Sequence, residues 1–537
     1  MTRSSSSSTR FTLIRVAILS VFCIGLGAIG LADASLSLGS KTPYSPQQDP
    51  STYEAPPNGF TPVFTQIVAR HGSRGLSSPS NDLALYAMWL NAQASGNLTR
   101  LGGRLGADLQ RIIRANALLG YGVNGITAPG YGNLTKTGIM EHMRLARRLA
   151  SRVSPLLSNA VDNAQTTHRE VIVSTSGVNR AVDSANFFVE SLTAAVPGLA
   201  PLVVSSQPLT AYPVNKPVAQ AAGVNRFQLY FHKLAAKTDL PAADDPYYAV
   251  YQSSLEYQRY LASDPTMLNK VNSIVYSPAS QATARAVLES IFTKSFIDTL
   301  DNGSSSYSNT GTFTFTSDDG KFTTSVQGDG ETTIANVVDA ANALYAVYSI
   351  TPSMTHEINV DMAKYFKPRQ LAVLGYLSDA QDFYEKGPGI KEAAPVTYIM
   401  SQALLDDFFH ESDAIAAGDA AHAAKLRFTH AEIIIPFAER LGLPDASAAV
   451  AADHTYTYRN NPWRGEQIAP LAANVQWDLF TNGSTLLVRM YYNEKETDFP
   501  AACDSARYAP DSRPRRRPSR VRTHFYEYTG LKACYGY

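Results

Sequence analysis

Apolar and β-branched positions first cluster in TPVFTQIV, residues 61–68, which predicts a buried strand running into the loop Ala69-Arg70-His71-Gly72-Ser73-Arg74-Gly75. A second unit is EVIVSTSGVNRAVDSANFFVESL. Its short run Val171-Ile172-Val173 is followed by a polar turn, and then Ala181, Ala185, Phe188 and Val189 recur at helical spacing. KLRFTHAEIIIPFAERLGL repeats the strand-to-helix pattern, and STLLVRMYY reads as a fourth strand. Strands alternating with helices predict an α/β fold with a mainly parallel sheet and helices on both faces. In such sheets the working residues gather beyond the carboxyl ends of strands. His71, Arg180 and His430 each follow a predicted strand, so the pattern predicts that they converge on one rim.

Long helical stretches interrupt these units. Residues 80–129 contain DLALYAMWLNAQ and LGADLQRIIRANALL; residues 211–395 contain ARAVLESIFTKSFIDTL and IANVVDAANALYAVYSI. They predict a mostly α-helical cap built from insertions. Within it, Phe and Thr alternate around Asp319-Gly320, a hairpin pattern near 312–327. The α/β core is then expected at 60–79, 130–210 and 396–537, after an irregular, Pro- and Ser-rich entry segment at 35–59.

The N-terminus changes the picture of where the chain works. Arg3, Arg10 and Arg15 precede an uncharged run from Val16 to Leu31, and Ala32-Asp33-Ala34 is an A-x-A pattern. This predicts a signal peptide over 1–34 and a secreted protein, periplasmic or extracellular; an uncleaved anchor is the rival reading. Cys23 falls inside that segment, leaving Cys503 and Cys534, which an oxidising compartment would join as a disulfide. Without residues 1–34 the chain carries 43 basic and 45 acidic residues, and six arginines fall in RPRRRPSRVR, residues 513–522. The body is mildly acidic, which argues against a nucleic-acid surface. That arginine run, with two prolines, reads as a solvated loop.

Arg70, His71 and Arg74 place three basic side chains within five residues. A solvated basic turn is the plain alternative, but arginine forks match phosphate oxygens, and Gly72 gives a ligand room near the backbone. Arg180 lies just after a polar turn at a helix start, a natural anion site. Glu432 sits two residues past His430 in the first turn of another predicted helix, where a carboxylate is also favoured by the helix dipole alone. The other histidines (His142, His168, His232, His356, His410, His422, His454, His524) show no metal-ligand spacing and read as structural or exposed.

RHGSR resembles the signature of the histidine phosphatase superfamily, in its acid phosphatase and phytase branch. NLTKTGIMEHMRLARRLASR is similar to that branch's Leu-Thr-x-x-Gly helix, and STSGVNRAVDSANFFVESL to its Ser-x-x-x-Arg-x-x-x-Ser-Ala segment. RFTHAEIIIPFAERLGL has the His-Ala-Glu form of multiple inositol polyphosphate phosphatases, which LSDAQDFYEKGPG and LVRMYYNEKETDFPAAC also resemble. The resemblance implies that His71 is the nucleophile, that Arg70, Arg74, Arg180 and His430 bind the phosphoryl group, and that Glu432 donates a proton. It implies neither metal nor cofactor. One departure stands out: the family often has proline two residues after the second arginine, where this chain has Leu76.

The resemblance leads to a secreted phosphomonoesterase acting on inositol polyphosphates such as phytate. Its partner is a small phosphorylated molecule rather than nucleic acid or, after signal removal, a membrane; the oligomeric state stays open. Two alternatives remain: a broad-specificity acid phosphatase acting on sugar phosphates, and a noncatalytic phosphate-binding module. Lys364, Lys367, Arg369, Lys386 and Lys391 are the cap cations that extra phosphates would need, with no position assignable from sequence.

Overall fold

The computed structural model describes residues 38–206, 220–234, 241, 243–509 and 522–537. The expected signal peptide, and the arginine run except Arg522, lie outside the described residues; so do 207–210 of the expected core and 211–219, 235–240 and 242 of the expected cap. Arg522 makes an exposed 3.1 Å ion pair with Asp504, a contact worth little in water.

One mixed sheet forms the centre. Four strands lie side by side in parallel, in the order Thr61–Arg70, His422–Thr429, Glu170–Thr175, Val203–Ser205. Beyond Thr61–Arg70 the sheet turns antiparallel through Asn474–Thr481, Leu486–Tyr492 and Lys495–Thr497, with Phe525–Glu527 also pairing with Leu486–Tyr492. The strand Thr61–Arg70 is central and both its faces are covered, which explains its mostly apolar sequence and the burial of Thr65 and Gln66 within it. On one side lie the helices Lys136–Arg152 and Asn179–Ala195, whose Leu145, Leu149, Ala181 and Phe188 pack with Ile67, Ala69 and Phe428. On the other lie Gln402–Ala416 and Ala431–Arg440, where Phe408, Ile434 and Phe437 pack with Phe64, Val68 and Trp477.

Asn474–Thr481 alternates Val475, Trp477 and Leu479 with Asn474, Gln476 and Asp478, the pattern of a strand with one wet face, yet Gln476 and Asp478 are buried with the rest. Arg152 reaches them from its helix: its Nε donates to Asp478 Oδ2 at 2.8 Å and its Nη2 to Gln476 Oε1 at 2.5 Å. Thr65 adds a bond of 2.7 Å to Asp478. A buried carboxylate is tolerated when it is paired and hydrogen-bonded in this way.

The inserted segments are mostly helical. Asn81–Ala94 packs with Gly102–Ala117 and with Val337–Ile350, which in turn contacts Pro278–Leu288 and Pro368–Glu385. The single helical stretch read from ARAVLESIFTKSFIDTL is two helices, Pro278–Leu288 and Lys294–Asp301. Thr293 caps the second by accepting from Phe296 N, and its own N–H donates to Asn97 O across the molecule. The Phe/Thr alternation forms the hairpin Thr312–Thr316 and Thr323–Gln327, and Gly320 adopts φ +71° in its turn.

Cys503 and Cys534 are bonded, with their Cα atoms 5.4 Å apart. The bridge ties the turn Ala501–Ala506 to the last helix, Tyr528–Cys534. Closing a loop of this length restricts the unfolded chain by about 3–4 kcal/mol.

Candidate active site

Three adjacent parallel strands end at one level: Arg70 pairs with Thr429, and Thr175 with Phe428. The chain then leaves each strand toward the same rim. His71 N donates to Thr429 O at 2.8 Å and Ser176 N to Phe428 O at 3.1 Å, stitching the three exits together. Arg180 stands in the first turn of Asn179–Ala195. His430 is the extended N-cap of Ala431–Arg440, and Glu432 lies in that helix's first turn. Residues hundreds of positions apart thus meet because their strands are neighbours.

His71 is 3% exposed, and its Nδ1 lies 2.9 Å from Gly72 O. A carbonyl only accepts, so Nδ1 carries the proton and Nε2 keeps a free lone pair. Burial first, then the charges of Arg180, Arg70, His430 and Arg74, holds the imidazole pKa well below its usual value, so the ring is neutral. The His430 ring stands edge-on at 5.4 Å and its Nε2 is 2.9 Å from Ser176 Oγ.

Two of the three guanidinium groups, those of Arg70 and Arg74, are held by backbone carbonyls. Arg70 Nη1 donates to Ser40 O at 2.6 Å and Ala469 O at 2.5 Å; Arg74 Nη1 donates to Gly75 O at 2.6 Å. Burial above all lowers the pKa of Arg70 to about 10 and of Arg74 to about 9, with the charge of Arg180 adding to both. Among the described residues, Nε of Arg70, Arg74 and Arg180 and Nδ1 of His430 and His232 are buried without a hydrogen-bond partner. Five unsatisfied nitrogens in one cluster of cations and imidazoles match the several oxygens of a tetrahedral anion.

Two glycines set the loop's position. A Cβ on Gly72 would lie 2.5 Å from Gly138 O, and one on Gly138 would lie 2.1 Å from Ser73 O. Gly72 is therefore required by the helix Lys136–Arg152 packing against the loop, rather than by a ligand approaching the backbone. Glu141 of that helix accepts from Ser73 N at 2.6 Å, Ser73 Oγ at 2.8 Å and Tyr44 N at 2.7 Å. Leu76, standing where the family often has proline, uses its N–H: it donates to Asn116 Oδ1 at 2.7 Å, while Gly75 N donates to Asn133 O at 3.1 Å. Hydrogen bonds supply the stiffness that a proline ring would. Gly138→Ala is expected to lower stability by about 1–3 kcal/mol through overpacking and to cut turnover roughly tenfold or more by displacing His71; thermal unfolding and initial rates check both.

The chain aligns in three dimensions with the crystal structure of Bifidobacterium longum multiple inositol polyphosphate phosphatase in complex with inositol hexasulfate. The two share 30% identity at a TM-score of 0.77, over 94% of this chain and 98% of the other. This chain belongs to the phytase-like histidine phosphatases. The same B. longum protein in complex with phosphate gives a TM-score of 0.79 at 29% identity. D. castellii phytase, at 12% identity and a TM-score of 0.56 over 95% of this chain, shares the fold. No family model and no curated protein sequence matches the chain.

In this phosphatase several residues of the rim escaped the sequence pattern. His232, which reads as structural or exposed, is buried beside His430 with ring centroids 6.1 Å apart, and burial lowers its pKa to about 4. Lys41, from the entry segment, lies among Arg74, Arg70, Asp382 and Lys386; burial first, then Arg74 and Arg70, lowers it to about 7. Of the five cap cations, Lys386 enters the site, 2.6 Å from Asp382 Oδ1 and 3.9 Å from Glu432 Oε1. Lys364 is instead paired with Asp108 at 2.5 Å, and Lys367, Arg369 and Lys391 are exposed. Glu432 is 31% exposed; burial pushes its pKa up, but nearby positive charge, that of Lys386 first, outweighs this and holds it well below the usual carboxylate range. No spacing marks Lys41 or His232. Lys386 lies within the EKGPG stretch that carries the family resemblance.

Proposed function

We propose that this phosphatase is secreted and hydrolyses inositol polyphosphates, phytate (myo-inositol hexakisphosphate) among them, in two displacements through a phosphohistidine. The observation that carries the reading is the neutral His71, its Nδ1 proton committed to Gly72 O, set among buried guanidinium groups with unsatisfied nitrogens. Nε2 attacks phosphorus and the bond to the leaving oxygen breaks, while Glu432 gives that oxygen its proton. Water then attacks the phosphohistidine, returns a proton to Glu432 and releases phosphate. Arg70, Arg74, Arg180 and His430 hold the equatorial oxygens throughout, where fixed positive charge is most effective.

Ionised Glu432 cannot donate a proton. A bound phosphate dianion offsets the surrounding cations, however, and raises the carboxyl pKa as the substrate arrives. The acid is therefore loaded by the substrate's own charge. Lys41 and Lys386 add positive charge next to the scissile position, as an inositol ring carrying several phosphates requires. Inositol hexasulfate in the B. longum relative supports the same substrate class. Export is supported by the Cys503–Cys534 bridge together with the N-terminal signal pattern.

Rapid quenching of a reaction with radiolabelled inositol hexakisphosphate tests the reading. Acid-labile phosphate on His71 is expected, with phosphate release from inositol hexakisphosphate faster than from a sugar phosphate. The reverse preference identifies a broad-specificity acid phosphatase, and binding without any label identifies a noncatalytic phosphate-binding module.

A further inference from the structure

A continuous chain of contacts joins the phosphate grip to the proton donor through the N-terminal entry segment. Arg70 Nη1 donates to Ser40 O at 2.6 Å, and Ser40 Oγ donates to Asp382 Oδ2 at 2.7 Å. Lys386 Nζ donates to Asp382 Oδ1 at 2.6 Å and stands 3.9 Å from Glu432 Oε1. Both carboxylate oxygens of Asp382 are therefore taken, one by the turn Gly39–Lys41 and one by the residue that ends the helix Pro368–Glu385.

An i,i+4 lysine–aspartate pair on a helix surface contributes only a few tenths of a kcal/mol and has no fixed orientation. This one differs. Asp382 is 9% exposed, and the Lys386 side chain is 22% exposed and faces a second carboxylate from another element. We propose that Lys386, tethered by Asp382 and Ser40 to the same strand end that carries Arg70, is a positioning residue that orients Glu432 and sets the pH at which it gives up its proton. This rests on the assignment of Glu432 as the acid and extends it.

Other charges also face Glu432 and must be weighed. From its own helix start comes His430; from the turn Phe231–Lys233, His232; from the remaining rim, Arg70, Arg74 and Arg180. Glu385 and Tyr257 lie on the Lys386 side. The imidazoles are held neutral by burial and the arginines are assigned to the phosphoryl group, which leaves Lys386, 3.9 Å away, as the main positive charge acting on the carboxyl. Asp382 moderates it: a lysine that is half-neutralised on one side pulls less on the other.

The sign is therefore opposite for the two partners. Removing Lys386 weakens the hold on the Glu432 anion, so the acid keeps its proton to higher pH. Removing the charge of Asp382 strengthens that hold, so the proton is lost at lower pH. The measurement is the rate of phosphohistidine formation against pH, by rapid quench at saturating inositol hexakisphosphate, which tracks groups in the enzyme–substrate complex. Lys386→Met is expected to move the alkaline limb up by about one pH unit. Asp382→Asn is expected to move it down, and Lys386→Arg to leave it in place. An unmoved limb in both Lys386→Met and Asp382→Asn overturns the inference, as do shifts of the same sign. If Lys386→Met does not fold, the direction seen with Asp382→Asn decides. Glu432→Gln separates the two levels: if it phosphorylates His71 as fast as the wild type, Glu432 is not the acid, and the reading beneath this inference fails instead.

Discussion

Replacing His71 by asparagine is expected to lower turnover of every phosphomonoester by at least about 10⁴-fold, the scale seen when a nucleophile is removed from a unit of cooperating groups. Inorganic phosphate should still bind within about tenfold of the wild-type affinity, because the cations that hold it are anchored elsewhere: Arg70 on Ser40 and Ala469, Arg74 on Gly75. Steady-state kinetics and calorimetric titration with phosphate check the two halves. A variant that turns over within tenfold of the wild type would remove covalent catalysis from the account. The pH profile carries a matching expectation. Burial, reinforced by the guanidinium groups, keeps the ring neutral well below pH 6.5. The sign is that of a base with a lowered pKa: the nucleophile is available above its own folded value and is lost only as the pH falls through it. The phosphorylation rate should therefore show no inflection near 6.5 on its acid side.

Glu432→Gln is expected to slow phosphorylation of His71 by inositol hexakisphosphate by about 10²–10⁴-fold, the usual range for a general acid. An activated aryl phosphate should lose less than about tenfold in the same step, because a phenolate stabilised by its ring leaves without a proton. Measuring the phosphorylation burst rather than overall turnover is essential, since in the proposed mechanism water attack on the phosphohistidine would use the same carboxylate as a base whatever the leaving group was. Equal losses on both substrates would assign Glu432 a purely electrostatic or structural part. Because the free carboxylate is held ionised above all by Lys386, the wild-type enzyme should discriminate against small monoesters that bring too little negative charge to load the acid.

Much of the site was legible because its parts are local. A strand that is buried on both faces needs the run PVFTQIV. The residues after such a strand emerge at the sheet's carboxyl edge, so RHGSR, the turn before Arg180 and the His430-Ala431-Glu432 segment can each be read within a few residues. Charge crowding at Arg70, His71 and Arg74 is visible in the same way, as is the hairpin around Asp319-Gly320. The two remaining cysteines had only each other to pair with, and they do. Less legible was the antiparallel half of the sheet. Asn474–Thr481 hides Gln476 and Asp478 in its buried pattern, and Arg152, brought from a helix more than three hundred residues earlier, helps make that burial tolerable together with Thr65.

The sequence by itself determined which side chains stand at the strand ends, because each motif residue is fixed by its backbone neighbours. Tertiary structure alone decided which further charges surround them. Ser40, Lys41, His232, Asp382 and Lys386 come from three stretches with no periodicity in common, and their charges matter only at the separations that packing creates. The same holds for Gly72 and Gly138, whose missing side chains make sense only once two backbones are seen to touch. Coulomb interactions and steric contact fall off over a few ångströms of space, whatever the distance along the chain, so a pattern read residue by residue does not contain them.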